Sequence, residues 1–206
     1  MYINNFNLYL IRHGQSEVNT RPDEMGQSPD VPLSLEGQQQ VIKLHDRFKK
    51  DGLIFAKVYS SDYKRAYDTA TGIYQTYPIK VPALREYSAG DWTGLKRSET
   101  LTPEVLMEMN IHNHQFLPPN GESLSQVERR VSKWLEEDIL YNRDMNGNNI
   151  AIFSHGMTIK CLLHHIMGFD KSFTWKISID NTSITHLSFG AKGWALHSIN
   201  DTSHLK

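Results

Sequence analysis

Two short apolar runs far apart in the chain, residues 8–11 and 149–154, are each followed closely by a His-Gly pair, His13–Gly14 and His155–Gly156. A buried strand that stops at Arg12, His13 and Gly14 brings a cation, an imidazole and a flexible turn to its carboxyl edge, where open α/β sheets bind ligands. A helical pattern over 157–167 follows the second run, so both histidines occupy the same strand-to-helix position. In a parallel sheet those two edges can be neighbours. A third turn repeats the theme: residues 55–59 read as a strand, Ser60, Ser61 and Asp62 as a turn, and the next helix carries Arg65. Arg-His-Gly alone is equally compatible with a surface histidine in a turn. Three strand ends that together supply Arg12, His13, Arg65 and His155 describe a phosphate site, because planar guanidinium forks match phosphate oxygens bidentately.

The alternation of strand and helix patterns predicts an α/β fold: a three-layer sandwich, mostly parallel in its central sheet, with helices on both faces. A smaller irregular or helical lid segment is expected at about 91–122. Ser34 reads as the N-cap of a helix with Leu35, Val41, Leu44 and Phe48 on its inner face, ended by Gly52. Residues 20–33 form a loop. Short strands are expected at 58–59 and 79–81, with a helix over 65–75 between them. Glu122 or Ser123 opens a long helix through Leu140, with Leu124, Val127, Val131, Leu135 and Ile139 facing inward. Residues 173–179 and 184–189 read as strands around a turn at 181–183, and 194–199 as a possible last strand. With no repeat or linker, residues 1–206 are expected to form one domain.

Lys and Arg total 22 and Asp and Glu 23, so nothing globally basic points to nucleic acid or an anionic membrane, and the positive charge of a phosphate site has to be local. Cys161 is the one cysteine, which excludes an intrachain disulfide. In its apolar helix it reads as a buried, inert thiol and fits a reducing compartment. No apolar run approaches the ~18 residues of a membrane span, and the N-terminus lacks the basic start of a signal peptide. The expected location is cytoplasmic.

In this order and spacing the motifs resemble the histidine phosphatase superfamily, the phosphoglycerate mutase-like family. The matching residues are LIRHGQSE at 10–17 with Asn19, then Gly26, Asp30, Pro32, Leu33, Ser34 and Gly37, then Ser61, Asp62, Arg65, Ala66, Thr69 and Ala70. Leu84, Arg85 and Glu86 follow, with Gly90, Asp91, Trp92 and Gly94, then Gly121, Glu122 and Ser123, and finally Ser154, His155 and Gly156. The likeness runs from residue 8 to about 188.

The resemblance implies phosphoryl transfer without metal or cofactor. His13 is the expected nucleophile: a neutral imidazole nitrogen attacks phosphorus and holds the phosphoryl group covalently, splitting one displacement into two. Its other nitrogen needs a fixed acceptor to set the tautomer, and the family pattern implies the Gly14 carbonyl. Arg12, Arg65 and His155, with Asn19 and Gly156, are the expected phosphate ligands, placed where transition-state charge spreads. Glu86 is the expected general acid for the leaving alcohol, then the base for water; like-charge repulsion from a bound phosphate favours its protonated form. Asp62 reads as a helix N-cap without chemistry, and Trp92 as packing. His112, His114 and Phe116 lie in the segment over the pocket, as substrate contacts or as plain loop residues.

Phosphatase and phosphomutase are the rivals within the family. Mutases carry a longer stretch between the acid and the second histidine and a Glu-Arg-x-Tyr-Gly-like pattern after the glutamate. Here Glu86 is followed by Tyr87, Ser88, Ala89, Gly90, Asp91 and Trp92, which favours a phosphatase. A non-catalytic phosphate-binding module on the same fold and a metal-dependent hydrolase are the other classes; no metal-ligand pattern supports the latter. The expected partner is a small or medium phosphomonoester. Specificity is expected in 20–30 and 91–122, where the basic side chains are Arg21, Lys96 and Arg97, too few for a bisphosphate. Pro29, Leu101, Leu106, Met107, Met109 and Phe116 make that lid partly apolar.

Overall fold

A computed structural model describes residues 4–26, 28–74 and 77–206. Strand β1 (Phe6–Arg12) sits near the middle of a six-stranded sheet with β2 (Lys57–Ser60), β3 (Ile79–Lys80), β4 (Asn149–Ser154), β5 (Ile184–Gly190) and β6 (Gly193–Asp201), in the order β3-β2-β4-β1-β5-β6. The first four run parallel. The β5–β6 hairpin adds two antiparallel strands beside β1.

The two-residue period of the strands sorts side chains to opposite faces. Leu8, Leu10, Ile150 and Ile152 join Val131, Leu135, Ile139, Ile159 and Leu162 in one core. Tyr9, Ile11, Ala151 and Phe153 join Val41, Leu44, Phe48, Ala70 and Ile73 in the other. The first core is roofed by α5 (Leu124–Trp134) and α6 (Gly156–Met167), the second by α1 (Leu35–Lys50) and α2 (Lys64–Ile73). This is the three-layer α/β sandwich the sequence predicts. The adjacent strands β1 and β4 therefore send their chains to opposite faces, which opens a crevice at their carboxyl ends. Arg12 pairs in register with Ser154, so the two His-Gly turns emerge at the same level.

Several local expectations change. Leu35 is 82% exposed; the buried face of α1 is Gly37, Val41, Leu44 and Phe48, and Leu35, two residues before Gly37, lies about 200° round the helix from it. The helix expected through Leu140 opens with Ser123 as cap but widens into a π-helix over Leu135–Leu140 after Trp134. Its five predicted inner residues are all buried. Residues 173–179 are not a strand. Phe173, Trp175, Ile177 and Ile179 alternate, but both edges of β5 are taken by β1 and β6, and Asp170 instead caps a 3₁₀ turn, Lys171–Trp175. The helix expected over 65–75 is α2, which ends at Ile73; Gln75 lies outside the described residues. Between β3 and α5 the chain forms α3 (Arg97–Thr100) and α4 (Pro103–His112), the lid segment. Among the described residues no helix is long and apolar enough to cross a membrane.

Two glycines permit close backbone approaches next to the crevice. A Cβ on Gly37 would lie 2.0 Å from the Gln15 carbonyl oxygen, and one on Gly90 2.1 Å from that of Pro119. The first contact seats α1 against the β1 turn; the second ties the Glu86 loop to the chain entering α5.

Candidate active site

At the carboxyl end of β1 the His13 ring is buried, and its Nδ1 donates to the Gly14 carbonyl at 2.7 Å. Nε2 is then the unprotonated nitrogen, and it accepts the Nε–H of Arg65 at 3.3 Å. Burial, with Arg65 and Arg12 alongside, pushes the His13 imidazole well below its ordinary range and keeps it neutral. Gly14 N–H donates to Thr69 Oγ1 at 2.9 Å, and the Thr69 hydroxyl donates to the Arg65 carbonyl at 2.7 Å, so α2 is fastened to the β1 turn.

Arg65 is 0% exposed. Its Nη1 donates to the Ser28 carbonyl at 3.0 Å, and its guanidinium lies 5.1 Å from the centre of the Tyr63 ring. Burial lowers its pKa to about 10, which still leaves it charged at neutral pH. Arg12 donates from Nη1 to the Ile179 carbonyl at 2.7 Å. Burial also pulls the Arg12 pKa down, against the pull of Glu86 and Asp180. Gly156, the first residue of α6, lies against Arg12: a Cβ there would be 3.6 Å from Arg12 Nε.

His155 caps β4 with its ring centre 5.0 Å from that of His13. Its Nε2 shares a 2.9 Å hydrogen bond with Ser61 Oγ, which also accepts the Tyr63 N–H. Burial first, then Arg65, His13 and Arg12, hold this imidazole well below its ordinary range too. Three buried nitrogens, Arg12 Nε, Arg65 Nη2 and His155 Nδ1, have no hydrogen-bond partner among the described residues. Such groups are expensive unless a ligand satisfies them. They come from the ends of β1 and β4 and from the helix after β2, around the neutral nitrogen of His13.

Glu86 approaches from the loop after β3. Its Oε2 accepts the Met157 N–H at 3.2 Å. Its Oε1 accepts the N–H groups of Tyr87 at 2.9 Å and Thr158 at 3.2 Å, and the Thr158 hydroxyl at 3.2 Å. The first turn of α6 thus orients the carboxylate, in accord with the preference of helix N-termini for negative charge. Arg130 braces the same loop, donating to the carbonyls of Ala83 and Glu86 while ion-paired with Glu122. Asn19 accepts from the backbone and hydroxyl of Ser16 through Oδ1 at 3.0 Å, which fixes its carboxamide. The six residues expected to surround a phosphate and Glu86 are therefore brought to one crevice.

This geometry fits the comparisons with known proteins. The sequence profile of the histidine phosphatase superfamily (branch 1) matches residues 8–202. The chain belongs to that superfamily. A probable phosphoglycerate mutase GpmB of Yersinia enterocolitica is 29% identical over 209 residues, covering 96% of this chain and 94% of the relative. The solved structure of Bacillus stearothermophilus YhfR, 25% identical, superposes with a TM-score of 0.85 over 98% of this chain and all of that one. A phosphoserine phosphatase of Entamoeba histolytica in complex with 3-phosphoglyceric acid, 24% identical, has the same fold, with a TM-score of 0.83 over 98% of this chain and 100% of that one.

Within this superfamily member the structure reassigns some expected residues. Asp62 does not cap α2: it pairs bidentately with Arg85 at 2.9 and 2.6 Å, because the turn points its carboxylate toward the Glu86 loop. Pro29 is absent from the cavity lining; its carbonyl accepts Lys64 N–H at the start of α2. His112 is exposed beside Glu108 at 3.1 Å. His114 is buried against Thr174 at 3.0 Å and 5.5 Å from the His164 ring. It anchors the lid to α6 and to the turn after it. Phe116 and Trp92 do line the cavity, their rings 5.7 Å apart. Cys161 is buried and its thiol pushed up to about 12 by burial, as its apolar surroundings predict. Among the described residues no group of three or more His, Cys, Asp or Glu side chains could hold a metal ion.

Sequence reasoning missed Asn181. Its Nδ2 donates to the His13 carbonyl at 3.0 Å and to Asn19 Oδ1 at 3.4 Å, tying the His13 turn to Asn19. The one available signal was its place in a polar turn just before a strand that neighbours β1. Thr158 and the amide of Met157 were missed for another reason: side chains without charge or nucleophilicity carry no chemical signature until Glu86 is seen beside them.

Proposed function

We propose that the protein is a phosphomonoesterase that works through a phosphohistidine on His13. The observation that carries this reading is the His13 ring itself. Nδ1–H is committed to Gly14 O, and Nε2 is neutral, buried and surrounded by the three unpartnered nitrogens. Nε2 attacks phosphorus, the P–O bond to the alcohol breaks, and the leaving oxygen takes the Glu86 proton. Glu86 then removes a proton from water, the water oxygen attacks phosphorus, and the P–N bond breaks to return neutral His13 and inorganic phosphate. Arg12 Nε, Arg65 Nη2 and His155 Nδ1 hold the equatorial oxygens, with the Asn19 carboxamide and the Gly156 end of α6 beside them. For His155 this places the ring proton on Nδ1, with Ser61 donating to Nε2.

The relatives' names bring phosphoglycerate mutase into view as the competing activity. The sequence after Glu86 supports hydrolysis instead. The test is a panel of phosphomonoesters assayed for inorganic phosphate, with acid quench to trap labelled enzyme. Acid-labile label on the wild type, absent from H13A, and phosphate release lowered on the order of 10⁴-fold or more in H13A are the expected results. Isomerised 3-phosphoglycerate without phosphate release would overturn the reading in favour of a mutase.

A further inference from the structure

Next to the phosphate crevice lies a chamber of about 1040 Å³, at the top of the usual range for small-molecule sites. Asn19 and Glu86 are in its wall, so whatever alcohol is esterified to a phosphate at His13 extends into it. Its character is apolar: Met25, Trp92, Leu101, Leu106, Phe116 and Trp175 line it. Of the two arginines in its lining, one is paired within the protein. Arg21 is ion-paired with Glu24 at 2.7 Å. Arg97 is exposed and, like Lys96, lies within the field of Asp23, which accepts from Ser98. A second anionic group, such as the carboxylate of phosphoglycerate or phosphoserine, would find as its unpaired cation the exposed Arg97, where an ion pair in contact with water contributes little.

The lid adds an independent observation. Helix α4 is started by the Thr102 hydroxyl accepting the Val105 N–H and by Pro103, yet it has no buried residue. Leu106 and Met107 line the chamber while 50% and 65% exposed, and Trp175 on the facing turn is 59% exposed. Exposed apolar surface concentrated at the mouth of a pocket marks a ligand-contacting face. Its continuity with Asn19 and Glu86 indicates which ligand covers it.

Resting on the phosphohistidine reading above, we infer that the substrate is the phosphomonoester of an uncharged, apolar alcohol, aliphatic or aromatic and of at least about six carbons, whose hydrocarbon part fills this chamber under α4. The phosphate is recognised by charge, and the alcohol by burial of hydrocarbon against the lid.

A homologous series tests this: ethyl, butyl, hexyl and octyl phosphate and naphthyl phosphate, against 3-phosphoglycerate and O-phosphoserine, with kcat/KM read from phosphate release. The expected result is a rise of about threefold to fourfold per added methylene up to hexyl, with hexyl and naphthyl phosphate at least tenfold above both charged esters. L106D should flatten the dependence on chain length. Phosphate release with no chain-length dependence, or with charged esters preferred, overturns the inference and leaves the phosphatase reading standing. The non-hydrolysable alkylphosphonates separate the two ideas. If no ester is hydrolysed yet phosphonate Kd falls with chain length, the ligand class stands and the phosphatase reading fails. If neither is seen, both fail.

Discussion

Arg65 Nε donates to His13 Nε2 at 3.3 Å, so a cation occupies the lone pair that the proposed reaction needs. The bond keeps His13 neutral and aimed in the resting protein, and a bound phosphoryl oxygen is a better acceptor for the same N–H. Arg65 then moves from guarding the nucleophile to stabilising charge on the oxygen. The planar guanidinium spreads its donors over three nitrogens, Nε for His13, Nη1 for Ser28 and Nη2 for the phosphate, whereas a lysine ammonium would have to reach all three from one point.

R65K keeps a positive charge but loses the fork. Charge-assisted hydrogen bonds are worth about 1.5–3 kcal/mol, so kcat/KM should fall by roughly 10- to 150-fold. Steady-state kinetics check this, with circular dichroism confirming the fold. An unchanged kcat/KM would remove Arg65 from the proposed site.

E86Q separates acid catalysis from positioning. The amide keeps one acceptor oxygen, enough for the Tyr87 and Thr158 N–H groups that Oε1 accepts, but donates no proton of comparable acidity. For an alkyl phosphate, whose leaving oxygen needs that proton, kcat should drop by about 10²–10⁴-fold. For 4-nitrophenyl phosphate, a good leaving group, the loss in the phosphorylation step should stay under about tenfold. Equal losses in pre-steady-state measurements on both esters would assign Glu86 a structural role.

Inorganic phosphate should stabilise the fold, since it satisfies Arg12 Nε, Arg65 Nη2 and His155 Nδ1. At 100 times Kd, linkage gives about 2.7 kcal/mol, or a Tm rise of roughly 5–10 °C for a chain of this size. Differential scanning calorimetry, with chloride at matched ionic strength as control, reads the shift. A phosphate effect no larger than that of chloride would argue against an anion site.

Acidification should destabilise the protein in phosphate-free buffer. His13 and His155 are held well below their ordinary value in the fold, while in the unfolded chain they titrate near 6.5. Above that pH both states are neutral and nothing is lost. As pH falls through about 6.5 the unfolded state takes up protons first, so stability declines by up to about 1.4 kcal/mol per pH unit for each histidine. Urea unfolding between pH 7.5 and 5 measures the slope, and H155Q should reduce it. Identical slopes would place the titration elsewhere, for example on His114, His186 or His204, which burial also lowers.

The chain's own order of residues determined that β1 and β4 are buried strands running into His-Gly turns, that helices cover both faces of a mostly parallel sheet, and that Arg12, His13, Arg65, Glu86 and His155 belong to one site. Those readings rest on period-2 and period-3.6 patterning and on residues whose chemistry is local and unusual, and such signals survive without a fold. Tertiary structure decided what depends on a partner from elsewhere in the chain. Residues 173–179 alternate like a strand but find no free edge beside β5, and Leu35 sits on the wrong side of α1 by two residues. Asp62 is drawn to Arg85 across a turn, and Asn181 matters because β5 returns beside β1 and sets its carboxamide under His13. The chamber belongs to the same class. Several of its apolar residues were visible in the sequence, but their convergence, with Met25, Trp92, Leu106 and Trp175 around one cavity, exists only where separate segments meet.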